Sequence, residues 1–191
     1  MKAAILTEMG RPRPYAASRP LAVEEVELDP PGPGELLIRI QAAGLCHSDL
    51  SVINGDRPRP LPMVLGHEAA GEVLECGPGV TDLKAGERIV LVFVPSCGSC
   101  LSCMEGRPAL CEPGGRANVA GTLLSGARLL RFHGEPIYHH VGVSGYAEYA
   151  VVSRRSAIKV DDSLPARWHD SYGKSAKPGT SIFDSRRSTD G

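Results

Sequence analysis

Four cysteines stand within fifteen residues, in the order Cys97-x2-Cys100-x2-Cys103-x7-Cys111, with the small spacers Gly98, Ser99 and Ser102 between the first three. Thiolates bind zinc at ~2.3 Å, and four of them complete its tetrahedral shell. Spacers this small let one loop wrap such an ion. A closed shell leaves no position for water or substrate, so the ion expected here stabilises the fold and takes no part in catalysis. An iron–sulfur cluster, paired disulfides and free thiols are the rival readings. The spacing differs from ferredoxin runs, and disulfides need an oxidising compartment for which the sequence carries no secretion signal. Ligand type and spacing favour structural zinc.

A second group is spread more widely. Cys46-His47-Ser48-Asp49 offers a thiolate, an imidazole, a hydroxyl and a carboxylate in succession, and Gly66-His67-Glu68 sets an imidazole and a carboxylate between glycines twenty residues on. Cys46 and His67 together suit a zinc ion that keeps open positions, as a Lewis acid must. Each piece alone has a plainer reading. A lone cysteine is usually a small buried hydrophobe, a lone histidine a satisfied structural residue, and Ser48 or Asp49 a helix N-cap.

The elements that must position these groups are short. Lys2 to Thr7, Val23 to Leu28, Leu36 to Ala42, Gly71 to Glu75, Arg88 to Val94 and Tyr146 to Val152 are apolar or alternating runs, each bounded by Gly, Pro or Asp. Strands at this spacing predict a β-barrel or sandwich. Pro30-Pro31-Gly32-Pro33-Gly34 and Gly77-Pro78-Gly79 read as turns. Only His47 to Asn54 and Cys100 to Gly106 read as helical turns. Cys76, inside a strand, is a packing residue.

The chain has 191 residues, 42% of them hydrophobic, with 21 basic and 22 acidic side chains in mixed order. A domain of this size buries roughly 70% of its unfolded surface. No basic stripe follows a phosphate backbone, which argues against nucleic acid. Met1 to Leu6 begins like a signal peptide, but Glu8 follows at once and no apolar run approaches the ~20 residues that span a bilayer. A soluble, cytoplasmic protein is expected, with no membrane partner. From Pro165 the only apolar residues besides alanine are Trp168, Tyr172, Ile182 and Phe183, so residues 165–191 are expected to form a disordered tail. Ser-Arg-Arg-Ser at Ser153 and again at Ser185 is a chance recurrence.

From Met1 to Leu164 the chain resembles the zinc-dependent, medium-chain alcohol dehydrogenases. The resemblance rests on Gly66 to Val80, on Gly86-Glu87-Arg88-Ile89-Val90, on Cys46-His47-Ser48-Asp49, on the four-cysteine loop and on Gly142-Val143-Ser144-Gly145-Tyr146-Ala147-Glu148-Tyr149. It implies a mainly β, GroES-like, partly open barrel with short helices and a zinc-binding lobe, acting as a catalytic domain over residues 1–164. It also implies Cys46 and His67 as two of three protein ligands to a catalytic zinc, with Glu68 close behind the metal. In that family zinc binds the alcohol oxygen and lowers its pKa, and the alkoxide passes hydride to NAD. Ser48 matches the hydroxyl that accepts the alcohol proton. Asp49 matches the carboxylate that orients His67, and His47 a basic position near the cofactor pyrophosphate.

Three departures qualify this. Ser51 stands where many relatives carry a proton-relaying histidine. No cysteine follows Cys111, although the family takes its third catalytic ligand from one shortly after the Leu164-Pro165 position. Nor does anything after Pro165 offer the strand, G-x-G-x-x-G turn and helix that cradle a pyrophosphate. His139 and His140, just before the Gly142 segment, read as surface or packing residues ahead of metal ligands.

Two readings follow. One is the amino-terminal catalytic half of an alcohol dehydrogenase acting on a small alcohol or aldehyde, truncated and inactive alone, with its NAD-binding half downstream or on another chain. The other is a non-catalytic zinc-binding module that associates with full-length relatives. Homo-oligomers fit either. The four-cysteine loop argues against a zinc-poor quinone-reductase relative. The expected zinc content is close to one ion per chain.

Overall fold

The computed structural model describes residues 1–161; the expected tail over 165–191, and the end of the expected domain at Leu164, lie outside the described residues. Among the described residues, strands β1 (Lys2–Leu6), β2 (Leu21–Glu25), β5 (Met63–Val64), β9 (Glu135–His139), β8 (Leu130–Phe132) and β3 (Glu27–Leu28) form one sheet, in the order β2-β1-β5-β9-β8-β3. Strands β10 (Tyr149–Ser153), β4 (Glu35–Gly44), β6 (Glu68–Cys76), β7 (Arg88–Leu91) and β11 (Ala157–Lys159) form a second, in the order β10-β4-β6-β7-β11. All pairings are antiparallel except β5 with β9.

Period-two alternation drives the second sheet. Along β6, Ala69, Gly71 and Val73 point inward to Leu36, Ile38, Ile89, Leu91, Ala150 and Val152, and the intervening residues are more exposed. Register shifts between Leu37 and Ile38, and between Ile40 and Ala42, bend β4 across β6 and curl the sheet. The two sheets meet where Ala3 bridges Ala147, the Ala4 N–H donates to the Tyr146 carbonyl at 2.7 Å, and the Tyr146 N–H donates to the Leu65 carbonyl at 3.0 Å. A partly open barrel results, as expected.

Each expected strand is present with altered limits. The run from Val23 to Leu28 divides after the Val26 N–H makes the last bond of the β1–β2 ladder, to the Met1 carbonyl at 2.8 Å, and Glu27 and Leu28 then pair with Arg131 and Leu130 of β8. The run from Arg88 stops at Leu91, short of Val94, whose left-handed φ of 54° ends the extended chain. Strands β5, β8, β9 and β11 were not expected, and two to five residues offer little periodicity to read.

Helix α2 (His47–Ile53, counted after α1, Tyr15–Ser18) buries Val52 and Ile53 with Ala4, Leu6, Met63, Leu65 and Tyr146. That packing clamps the Cys46–Asp49 segment to the barrel. Beyond β7 the chain leaves the sheets for a lobe made of α3 (Leu101–Met104), a 3-10 turn (Pro108–Leu110) and α4 (Glu112–Ala120) before β8 brings it back.

Candidate metal centres

In the lobe, one ligand atom each from Cys97, Cys100, Cys103 and Cys111 lies within 4.8 Å of the other three. Local backbone does the gathering. The Cys97 sulfur accepts N–H bonds from Ser99 at 3.4 Å and Cys100 at 3.3 Å, and the Cys111 sulfur accepts them from Cys97 at 3.1 Å and Gly114 at 3.3 Å. The last is a helix cap, since Cys111 is the N-cap of α4. None of the six cysteines is paired in a disulfide.

Electrostatics describe a thiol set that needs a cation. Bonds from the backbone and hydroxyl of Ser99, then from the backbone of Cys100, draw the Cys97 thiol down to about 6. Burial, then the neighbouring thiols, push Cys103 up to about 11 although the Gly98 N–H opposes them. Four thiols this close cannot all ionise beside one another unaided. A soft divalent ion removes that conflict, and the donor set fits zinc.

The second centre is assembled from distant parts of the chain. Cys46 is the N-cap residue of α2, and its sulfur stands 3.5 Å from the Ser48 hydroxyl. His67 stands just before β6, on the turn made by Gly66, where φ is +89° and a Cβ would strike Tyr146. Only glycine fits that turn. Ligand atoms of Cys46, His67 and Glu68 lie within 4.8 Å of one another. The Glu68 side chain lies against Gly44, where a Cβ would come within 2.6 Å of Oε2, and that oxygen is buried with no hydrogen-bond partner. An orphaned carboxylate oxygen beside a thiol and an imidazole fits a metal ion.

Asp49 organises the far side of the cluster. It is 2% exposed and accepts hydrogen bonds from the Gly66 N–H at 3.1 Å and the Tyr146 hydroxyl at 2.9 Å, with His67 Nδ1 at 3.3 Å and His140 Nε2 at 3.4 Å. With Nδ1 turned to the carboxylate, Nε2 of His67 is left to a metal. Burial alone raises the Asp49 pKa, but His67, His140 and Tyr146 outweigh it and the net shift is downward. Burial likewise lowers His67, and the bonds and charges of Asp49 and Cys46 reverse it to a net rise.

The expected residues thus divide. Cys46, His67, Glu68, Asp49 and Ser48 come together. His47 is exposed and outside both clusters, and its carbonyl accepts the Ser51 hydroxyl at 3.1 Å, which turns the relay position back onto its own helix. Neither Ser48 nor Asp49 serves as the N-cap. Cys76 ends β6 with its sulfur 3.4 Å from the Leu83 carbonyl, a packing position.

His139 and His140 are 1% and 2% exposed, so neither is a surface residue. His139 Nε2 accepts the Leu129 N–H at 3.0 Å. His140 stands edge-on to His67 at 5.6 Å and beside Asp49, in a group whose ligand atoms also lie within 4.8 Å of one another. The contributions of His140 and Tyr146 to Asp49, and of Phe93 edge-on to His67 at 5.6 Å, were missed by the sequence reading. The nearest signal was the spacing of His139-His140 ahead of Gly142 to Tyr149.

The pattern of the alcohol dehydrogenase GroES-like domain matches residues 32–162. An NDMA-dependent alcohol dehydrogenase of Amycolatopsis methanolica is 44% identical over 156 residues, which are 79% of this chain and 40% of that one. The alcohol dehydrogenase zinc-binding domain protein of Burkholderia ambifaria superposes with a TM-score of 0.77 at 37% identity, covering 86% of this chain and 42% of its own. Benzyl alcohol dehydrogenase of Acinetobacter calcoaceticus gives 0.77 at 29% identity, covering 90% and 44%. This chain therefore spans about two fifths of the length of its curated relative. It belongs to the alcohol dehydrogenase GroES-like domain family.

Proposed function

We propose that residues 1–164 are the catalytic domain of a zinc-dependent alcohol dehydrogenase, taking a small alcohol or aldehyde and working in the cytoplasm with NAD. The observation that carries the reading is the convergence of Cys46, His67 and a Glu68 carboxylate oxygen within 4.8 Å, on a carboxylate whose Oε2 is buried without a hydrogen-bond partner. When bound, zinc supplies Lewis acidity that eases loss of an alcohol proton. Cys46 and His67 would hold it, and Glu68 is the third donor that the described residues bring to them. Asp49 fixes the His67 ring and its tautomer. Ser48, beside Cys46, would accept the alcohol proton as it passes its own hydroxyl proton to water. Phe93, 59% exposed and edge-on to His67, gives the alcohol's carbon skeleton an apolar surface. His47, exposed on α2, would be free to meet the cofactor pyrophosphate. The lobe ion on Cys97, Cys100, Cys103 and Cys111 is structural, and hydride transfer needs a nicotinamide placed against the Cys46–His67 site.

One observation favours the alternative of a non-catalytic module associating with full-length relatives or a second copy. Leu101, Met104 and Leu110 of the lobe are all strongly exposed. No helix among the described residues is long and apolar enough to cross a membrane.

Cobalt substitution separates the two readings. Cobalt in a Cys46–His67 site gives a visible band that benzyl alcohol shifts in the wild-type chain and that Cys46→Ser and His67→Ala abolish. A spectrum confined to the four-thiolate site, and indifferent to alcohol, contradicts the catalytic reading.

A further inference from the structure

The lobe touches the barrel through a cation that the chemistry above does not use. Ser153-Arg154-Arg155-Ser156 links β10 to β11, and its two arginines part company. Arg154 turns to the barrel: it forms a two-pronged ion pair with Asp82, at 2.9 and 2.7 Å, and donates to the Ala157 carbonyl at 2.6 Å. Arg155 turns to the cysteine loop. A Cβ built on Gly98 would clash equally with its Cζ, Nη1 and Nη2, so the guanidinium lies flat over that glycine, between Cys97 and Cys100. Gly98 has φ +77°, and its N–H bonds to the Cys103 sulfur.

The carboxylates lining the same cleft, Glu35 and Asp82, are engaged elsewhere. Glu35 accepts the Ser125 hydroxyl at 2.7 Å and the Gly32 N–H at 2.9 Å, and Asp82 is held by Arg154. Among the described residues the Arg155 guanidinium has no carboxylate within ion-pair distance, and the Arg155 backbone N–H donates to Ser153 Oγ at 3.3 Å. A zinc ion carrying four thiolates is a dianion, and a flat, permanently charged group against the loop that holds it is electrostatically matched.

We propose that Arg155 is the outer-sphere cation of the four-thiolate centre, offsetting its negative charge and slowing loss of the ion. The inference rests on the structural-zinc reading of the lobe. It makes the β10–β11 link, more than forty residues from the cysteines, a positioning part of the zinc site. Gly98 is then required for space as well as for its backbone angle, since any side chain there displaces the guanidinium.

The test is the rate at which the zinc-loaded full chain releases its ion to excess chromophoric chelator, for wild type, Arg155→Gln and Arg155→Lys, in low and high salt. Arg155→Gln is expected to release about tenfold faster in low salt. The ratio should fall toward about two in 1 M salt, where screening is short-ranged. Arg155→Lys, which keeps the charge and loses the flat face, should stay within about threefold of wild type. Arg155→Gln indistinguishable from wild type overturns the proposal. So does a faster release that neither salt nor lysine alters, because that pattern belongs to packing. A wild-type chain with no slowly released, Cys103-dependent zinc overturns the structural-zinc reading itself, and is recognised before any Arg155 variant is compared.

Discussion

The lobe and the Cys46–His67 cluster gather metal-binding donors by different routes, four sulfurs in the one and a sulfur, an imidazole and a carboxylate in the other. All four lobe sulfurs come from one fifteen-residue stretch, and their N–H donors, from Ser99, Cys100, Cys97 and Gly114, lie in it or just past its end. The second cluster draws Cys46 and Asp49 from one segment, His67 and Glu68 from another, and His140 and Tyr146 from a third, and Tyr146 lies 97 residues from the Asp49 it touches. The lobe supplies all four sulfurs itself and takes from the barrel only the neighbouring Arg155 cation. The cluster exists only when Gly66 and Tyr146 meet across the joint between the sheets. Metal should therefore stabilise the lobe locally, whereas barrel folding should create the cluster.

The largest expected break in that contrast is Cys103→Ser. It should release the lobe ion and, with free zinc about a thousand times its Kd, cost ~4 kcal/mol or roughly 10 °C in Tm. Calorimetry checks this, and cobalt spectra should show the Cys46–His67 cluster still present once the chain is folded.

Acid should act on the barrel side. Burial pushes His139 down to about 4 from 6.5, so the unfolded chain takes up a proton that the folded chain refuses. The stability this contributes is full above pH 6.5 and falls by about 3 kcal/mol as the pH drops from there toward 4. His139→Gln keeps an acceptor for the Leu129 N–H and removes the titration. Urea midpoints at pH 7 and 4.5 should therefore differ less for His139→Gln than for wild type.

Asp49→Asn is expected to weaken metal binding at Cys46 and His67 by about 10–100-fold. Competitive titration should leave the lobe ion unaffected. Tyr146→Phe removes the hydroxyl that donates to Asp49, and the loss of one bond to a charged group should cost about 1–2 kcal/mol in urea unfolding.

What the sequence could reveal followed the same division. The lobe was legible because its ligands are neighbours in the chain and their spacing is itself geometry. Cys46 and His67 became legible through the company of the Gly66 to Val80 pattern. Tyr146 and His140 were not, because nothing near them records that Asp49 waits across the barrel joint. Helix α4 escaped notice because Pro113, Gly114 and Gly115 are poor helix formers; Gly114 instead leaves room for the Pro95 backbone and gives its N–H to Cys111. Arg155 looked like half of a chance tetrapeptide recurrence.

The most direct test of the lobe's independence is zinc content after dialysis against a chelator of moderate strength. Close to one ion per chain should remain in the wild type and in Cys46→Ser, and none in Cys103→Ser. Retention in Cys103→Ser together with loss in Cys46→Ser would contradict the account, for the durable site would then be the one that only the barrel assembles.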